Sequence, residues 1–209
     1  MNITPEIIER LKLLDEKYVA SGQDLASYLD GLIYADYLKY WNYIELDTLL
    51  SLQKPKTYFP DEEIFIIYHQ ITELYFKLTL NELKRVGDNQ ELDFDFFYVR
   101  LKRVVRYFDA LVSSFEVMVE GMDRQEFIQF RMALAPASGF QSAQYRKIEI
   151  HTADLKNLVA VEKREELKNV EDLEKLYDHI YWKQGAIDLK TGNKTLTLLQ
   201  FEERYDEEL

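Results

Sequence analysis

The 209-residue sequence has no cysteine, which excludes disulfides, thiolate ligation of a haem iron and cysteine-based zinc sites. Breakers of regular structure are scarce, with 7 glycines and 4 prolines, so long helices are expected over most of the length. Only three histidines occur, His69, His151 and His179, which leaves little from which to build a multi-histidine metal site. No apolar run reaches the roughly 20 residues needed to span a bilayer, and the opening MNITPEIIER lacks an apolar signal core. Positive charge is in deficit, with 26 Lys and Arg against 38 Asp and Glu and a formal net charge of −12, which argues against nucleic acid as a partner. A soluble, cytoplasmic protein without a membrane partner is expected.

What is abundant is aromatic surface: 15 Tyr, 12 Phe and 2 Trp. Such side chains fill helix interfaces or line a flat pocket. The length fits one all-α domain, with residues 1–36 as an N-terminal helical arm, 37–152 as the core and 153–209 as a helical insertion ending in a further helix. In the arm, Thr4-Pro5-Glu6 is a helix start, and the apolar stripe from Ile7 to Tyr18 runs to Ser21-Gly22. A second helix is expected from Asp24 toward Tyr37, and helical spacing continues from Tyr40 to Gln53, stopping at Lys54-Pro55.

The next helix opens on Pro60, Asp61 and Glu62, with acids at its positive end, and runs to about Val86 before Gly87-Asp88-Asn89. Apolar residues on more than one face mark it as central and well buried. A long helix follows from Leu92 to about Val119, whose Arg100, Lys102, Arg103 and Arg106 read as a solvated face or as partners for carboxylates. Asp123 is placed to cap a short helix ending near Leu134, and Gln141 to start another toward His151. Charged amphipathic sequence from Ala153 to Asp178 forms two helices or one interrupted helix. Around Thr191-Gly192-Asn193 a small hairpin is expected over 184–197. The stretch Leu196–Leu209 has helical spacing and no stop signal.

Two places invite chemistry. Between Glu126 and Arg146, Pro136 and Gly139 break the helical pattern, so Ala135–Phe140 should bend with exposed amides. Just before the bend, Phe127, Phe130 and Arg131 lie three and four apart, and that arginine needs an anion. An acidic neighbour is the simpler choice on residue types alone; a ligand carboxylate is the sharper one. Upstream, Phe65, His69, Thr72 and Phe76 share a helix side, where a lone histidine is either a core residue or a functional one. His69 and Glu73 also share a face, but no second histidine lies near enough in sequence to complete a nonhaem metal triad.

Three ordered motifs carry a family resemblance. The run Phe130, Arg131, Leu134, Pro136, Ala137, Ser138, Gly139, Phe140, Gln141, Ser142, Gln144, Tyr145, Arg146 resembles a signature of the tryptophan 2,3-dioxygenase family. Asp61, Glu62, Phe65, Ile66, His69, Gln70, Glu73, Leu74, Phe76 and Lys77 match a second signature of that family. Tyr40, Tyr43, Leu46, Leu49, Leu50 and Gln53 match a third, weaker one.

The resemblance implies an all-α fold and a haem b cofactor. It also implies a homotetramer that opens the indole C2–C3 bond of L-tryptophan with molecular oxygen, giving N-formylkynurenine in the kynurenine pathway. It implies that His69 is the distal, catalytic histidine and that Phe65, Ile66, Phe127 and Arg131 bind substrate, with Arg131 holding the carboxylate. Tyr40 and Tyr43 would cover a neighbouring subunit's pocket, and Phe76, Ser138 and Gly139 would lie at the cofactor.

Two departures stand out. Some family members carry a tyrosine where this chain has Phe127. The family's W-x-x-x-H segment, which bears the proximal haem histidine, and the T-G-G loop after it are both absent, so no metal ligand is assigned here and the chain is expected to be incomplete. The alternative is a non-catalytic helical module of the same fold that binds tryptophan or indole, or serves assembly.

Overall fold

The computed structural model describes residues 3–34, 39–89, 93–135 and 137–209. The expectations for residues 36 and 37, for Leu92 as a helix start and for Pro136 in the bend lie outside the described residues. By Cα packing the chain divides into two compact units, Met1–Leu52 and Gln53–Leu209. Among the described residues all regular structure is helical, and the only β pairing consists of isolated bridges.

In the first unit, α1 (Pro5–Ala20) and α2 (Leu25–Tyr34) form a helical pair. Gly22, at φ 71°, takes the left-handed turn after α1. Asp24 then caps α2 through the backbone N–H groups of Ala26 and Ser27, and Tyr18 stacks on Tyr28 at 4.2 Å. The helical pattern expected from Tyr40 to Gln53 is split into α3 (Tyr40–Tyr43) and α4 (Leu46–Leu49), because Glu45 between them sits in the left-handed region at φ 51°. No described residue of this unit is buried; Tyr40 and Tyr43 are 70% and 74% exposed.

The second unit is built on α5 (Asp61–Gly87). The helix α6 (Phe94–Ser114), capped by Asp93, packs antiparallel to it. Tyr68 Oη donates to Leu111 O, Phe76 meets Phe108 at 6.4 Å, and Glu82 pairs with Arg103 and Arg100 at 3.0 and 3.2 Å. Those two arginines are therefore structural partners of a buried carboxylate. Burial pushes the Glu82 carboxyl up, and the Arg103 and Arg100 guanidinium groups outweigh it, holding it below its ordinary value.

The acids that open α5 do more than meet the helix dipole. Glu62 is buried and accepts the backbone N–H groups of Lys56 and Thr57 and the Thr57 hydroxyl, folding the preceding loop onto the helix. The expectation of burial all round α5 is corrected: Tyr68, Phe76 and Thr79 are buried, whereas Ile67, Ile71, Leu74 and Leu78 form a row exposed along its other side.

After α7 (Glu116–Val119), Gly121 lets the chain turn where a Cβ would lie 2.4 Å from the Val117 carbonyl oxygen. Asp123 then caps α8 (Arg124–Leu134). A single 3₁₀ turn at Gly139–Gln141 leads to α9 (Ala143–Thr152), which Ser142 caps through the Tyr145 N–H and which packs back on α5. Gln144 fastens this contact, its Nε2 donating to both the Glu73 carbonyl and the Glu73 carboxylate at 2.8 Å.

The segment after α9 is more broken than expected. It holds α10 (Leu155–Leu158), α11 (Arg164–Leu167), α12 (Leu173–Asp178) and α13 (Tyr181–Gln184) before α14 (Leu196–Tyr205), which closes in a 3₁₀ turn at Asp206–Glu208. The small hairpin reduces to one bridge between Ile187 and Lys194, closed by a turn at Gly192 with φ 69°. With Ala143 of α9, this region forms the larger of two buried apolar clusters among the described residues: Ala143, Ile180, Trp182, Ala186, Leu198 and Phe201. Val159, Leu167 and Leu176 form a second cluster.

Candidate functional site

A cavity of about 570 Å³ opens where α5 and α8 meet the loop before α9. Its lining is Phe65, His69, Phe127, Arg131, Leu134, Ala135, Ala137, Ser138 and Gly139. The helical spacing explains the convergence. Phe65 and His69 are one turn apart on α5, and Phe127 and Arg131 one turn apart on α8, so each helix turns one aromatic and one nitrogen-bearing side chain toward the same space. Behind them, Phe130 is 0% exposed and wedges the helices, its ring 5.7 Å from Phe65 and 5.5 Å from Phe127. Phe65 and Phe127 are 6.3 Å apart.

Arg131 decides between the two readings of its sequence. It is exposed, lines the cavity, and makes no ion pair or hydrogen bond among the described residues, so no acidic neighbour serves as its anion. The contrast with Arg100, Arg103 and Arg146, all paired, is direct. A free guanidinium beside two aromatic rings suits an anionic ligand with a flat apolar body.

His69 packs its ring on Phe65 at 4.1 Å, and its Nδ1 lies 2.7 Å from the Phe65 carbonyl oxygen. A carbonyl only accepts, so Nδ1 carries the proton and, in the neutral ring, Nε2 is left as an acceptor. His151 and His179 use Nδ1 in the same way on the carbonyls of Lys147 and Lys175, and neither lines the cavity. No cluster of three or more metal-ligating side chains occurs among the described residues.

Six of the expected site residues therefore come together: Phe65, His69, Phe127, Arg131, Ser138 and Gly139. Ile66 is half-buried and outside the lining. Phe76 is buried between α6 and α9, against Phe108 and Tyr145, rather than in the wall. Tyr40 and Tyr43 belong to the first unit. Leu134, Ala135 and Ala137 were not singled out as site residues, although Leu134 sits one turn beyond Arg131 on α8, which is the signal that finds it.

Fold and site together define an all-helical protein with a cavity walled by two aromatic rings and carrying one histidine and one arginine. A sequence model of the tryptophan 2,3-dioxygenases matches residues 21–192, and the chain belongs to that family. The tryptophan 2,3-dioxygenase of Ruegeria sp. (strain TM1040) is 42% identical over 129 residues, covering 61% of this chain and 44% of that protein. That of Shewanella woodyi is 33% identical over 184 residues, covering 81% of this chain and 64% of its own length. The Pseudomonas fluorescens enzyme of the same name is 40% identical over 121 residues, 56% of this chain and 42% of its own. The chain thus spans about half the length of the curated relatives it matches.

Proposed function

We propose that this chain carries the substrate-holding part of a haem-dependent dioxygenase site that opens the indole ring of L-tryptophan to N-formylkynurenine. The observation that carries the reading is Arg131, without an ion pair among the described residues, in a cavity walled by Phe65 and Phe127. Membership of the tryptophan 2,3-dioxygenase family supports the choice of substrate.

In this reading the Arg131 fork takes the amino acid's carboxylate through two parallel hydrogen bonds, which a lysine would match in charge but not in geometry. The Phe65 and Phe127 rings hold the indole plane, and His69 Nε2 accepts the indole N–H. With both ends of the substrate fixed, the ring is held in one orientation, and orientation is a large part of what the protein contributes to such chemistry.

The haem would supply the oxygen chemistry when bound. One side of the cavity fits it: the wall is apolar, Ser138 and Gly139 are small, and a Cβ built at Gly139 meets nothing within 4 Å. Iron ligation is assigned to none of the described residues in this reading, since His69 serves the indole N–H and His151 and His179 do not line the cavity. Ser138 and Gly139 are assigned to the haem edge, whereas Ile66 and Phe76 lie outside the lining. Assembly as a homo-oligomer, with Tyr40 and Tyr43 serving a neighbouring copy, belongs to the same proposal. So does a cytoplasmic setting. Exposed apolar residues on α2 and α3, including Leu32, Ile33 and Trp41, support assembly. No described helix is long and apolar enough to cross a membrane.

Haemin titration, followed by reduction to ferrous haem with excess reductant removed and then by L-tryptophan and oxygen, tests the reading, with imidazole added in a parallel series to stand for the axial donor. The expected result is a saturable Soret band that shifts on adding L-tryptophan, with one oxygen consumed per N-formylkynurenine formed. Tryptophan binding with no product in either series would overturn catalysis in favour of a non-catalytic indole-binding module.

A further inference from the structure

Among the described residues Arg131 has no side-chain partner to hold it, so what fixes its position acts through α8 itself. The two helix starts cap one another. Asp61, the first residue of α5, accepts the backbone N–H of Asp123 through Oδ2. Asp123 in turn caps α8 by accepting the N–H groups of Gln125 and Glu126 at 2.8 and 3.0 Å. Glu126 Oε2 returns to the Asp61 N–H at 3.4 Å.

The spacing makes this clasp the first rung of a ladder. Asp61, Phe65 and His69 are each four apart on α5, and Asp123, Phe127 and Arg131 are each four apart on α8. Rungs on one face of two packed helices share one register. The second rung is the Phe65–Phe127 ring contact and the third holds His69 and Arg131 at the cavity.

We infer that Asp61 is a positioning residue for Arg131, setting the register of α8 against α5 and thereby the carboxylate selectivity of the cavity. The inference rests on the reading of Arg131 as the carboxylate ligand. Release of the clasp lets α8 slide or turn against α5. The aromatic walls tolerate that movement, because ring contacts are broad, whereas a two-bond guanidinium contact does not.

The test compares L-tryptophan with tryptamine, which keeps the indole and lacks the carboxylate, by isothermal titration calorimetry. Asp61→Ala is expected to weaken L-tryptophan roughly five- to tenfold and tryptamine less than about twofold, the size of one lost hydrogen bond read through one ligand group. Asp61→Asn keeps an oxygen for the Asp123 N–H and should recover L-tryptophan affinity to within about twofold. Should Asp61→Ala not fold, Glu126→Ala removes the other half of the clasp and is expected to give the same selective loss at smaller size.

Equal weakening of both ligands, or no weakening of either, in whichever of these variants folds overturns the inference. Arg131→Lys is run alongside. If it too fails to discriminate the ligands, the carboxylate reading of the cavity falls; if it discriminates and the clasp variants do not, only the positioning role falls.

Discussion

Arg131 and Arg146 lie in the same stretch of sequence and end in opposite circumstances. Arg146 is buried: its Nη1 donates to the Tyr181 hydroxyl and pairs with Glu149, both at 2.9 Å, and its guanidinium lies over the rings of Tyr145, Tyr181 and Trp182. Tyr181 completes the group by donating to Glu149, and burial, then that bond, raise its pKa. Lys183, 3% exposed, is held likewise by Asp206 and Glu202 at 3.1 Å and sits 3.8 Å from the Tyr177 ring centroid. Arg131 has none of this. Arg146 and Lys183 serve the architecture of the C-terminal half of the second unit, whereas Arg131 faces the α5–α8 cavity with no ion pair among the described residues, and such a cation is the better guide to a ligand.

The sharpest way to break that contrast is to damage each region and compare stability with binding. Phe201→Ala in the C-terminal cluster is expected to cost about 3–5 kcal/mol, read as a loss of melting temperature, since Phe201 is buried and packs on Trp182 at 5.3 Å. Lys183→Met should cost about 2–3 kcal/mol, less than a fully broken buried pair, because Lys194 still pairs with Glu202 at 2.7 Å. Arg131→Leu should leave stability within about 0.5 kcal/mol and weaken L-tryptophan at least tenfold. A large stability loss at Arg131 would erase the difference between the regions.

Acid offers a second probe. Burial pushes the Glu62 carboxyl up, but the Lys56 and Thr57 N–H groups and the Thr57 hydroxyl hold it, on balance, below its ordinary value. A carboxyl with a lowered folded pKa binds its proton less readily than in the unfolded chain. Its stabilisation is therefore complete above the unfolded value near 4.5 and is lost as pH falls through the folded value. Glu62→Gln should flatten the acid limb of a stability–pH curve below about pH 5. An unchanged limb would assign the acid sensitivity to other carboxylates, with Glu82 the next to test.

The helices α1, α5 and α8 were legible from start signals and periodicity, although Thr4 accepts no capping hydrogen bond at α1 and only Asp123 of α8 caps with its side chain; the convergence of Phe65, His69, Phe127 and Arg131 was legible once the motifs were joined. Three things were not. The break at Glu45 depends on a left-handed residue that carries no glycine signal. The short helices after α9 are set by tertiary burial of isolated apolar residues such as Val159, Leu167 and Leu176, with too few turns for a period to show. Phe76 follows His69 at the right spacing for the cavity, yet Phe108 and Tyr145 claim it, and one-dimensional spacing cannot see which neighbour lies across a helix.

The smallest expected effect lies within the cavity itself. Phe127 and Arg131 are one turn apart on α8 and both line the space, so a hydroxyl at the para position of residue 127 would reach toward any anion held by Arg131. Phe127→Tyr adds one donor without removing the ring that Phe65 and Phe130 pack against. One added hydrogen bond to a charged group should tighten L-tryptophan by about three- to tenfold, with tryptamine unchanged because it presents no carboxylate. Equal tightening of both would place the hydroxyl at the indole end of the pocket and reverse the direction in which the substrate lies between α5 and α8.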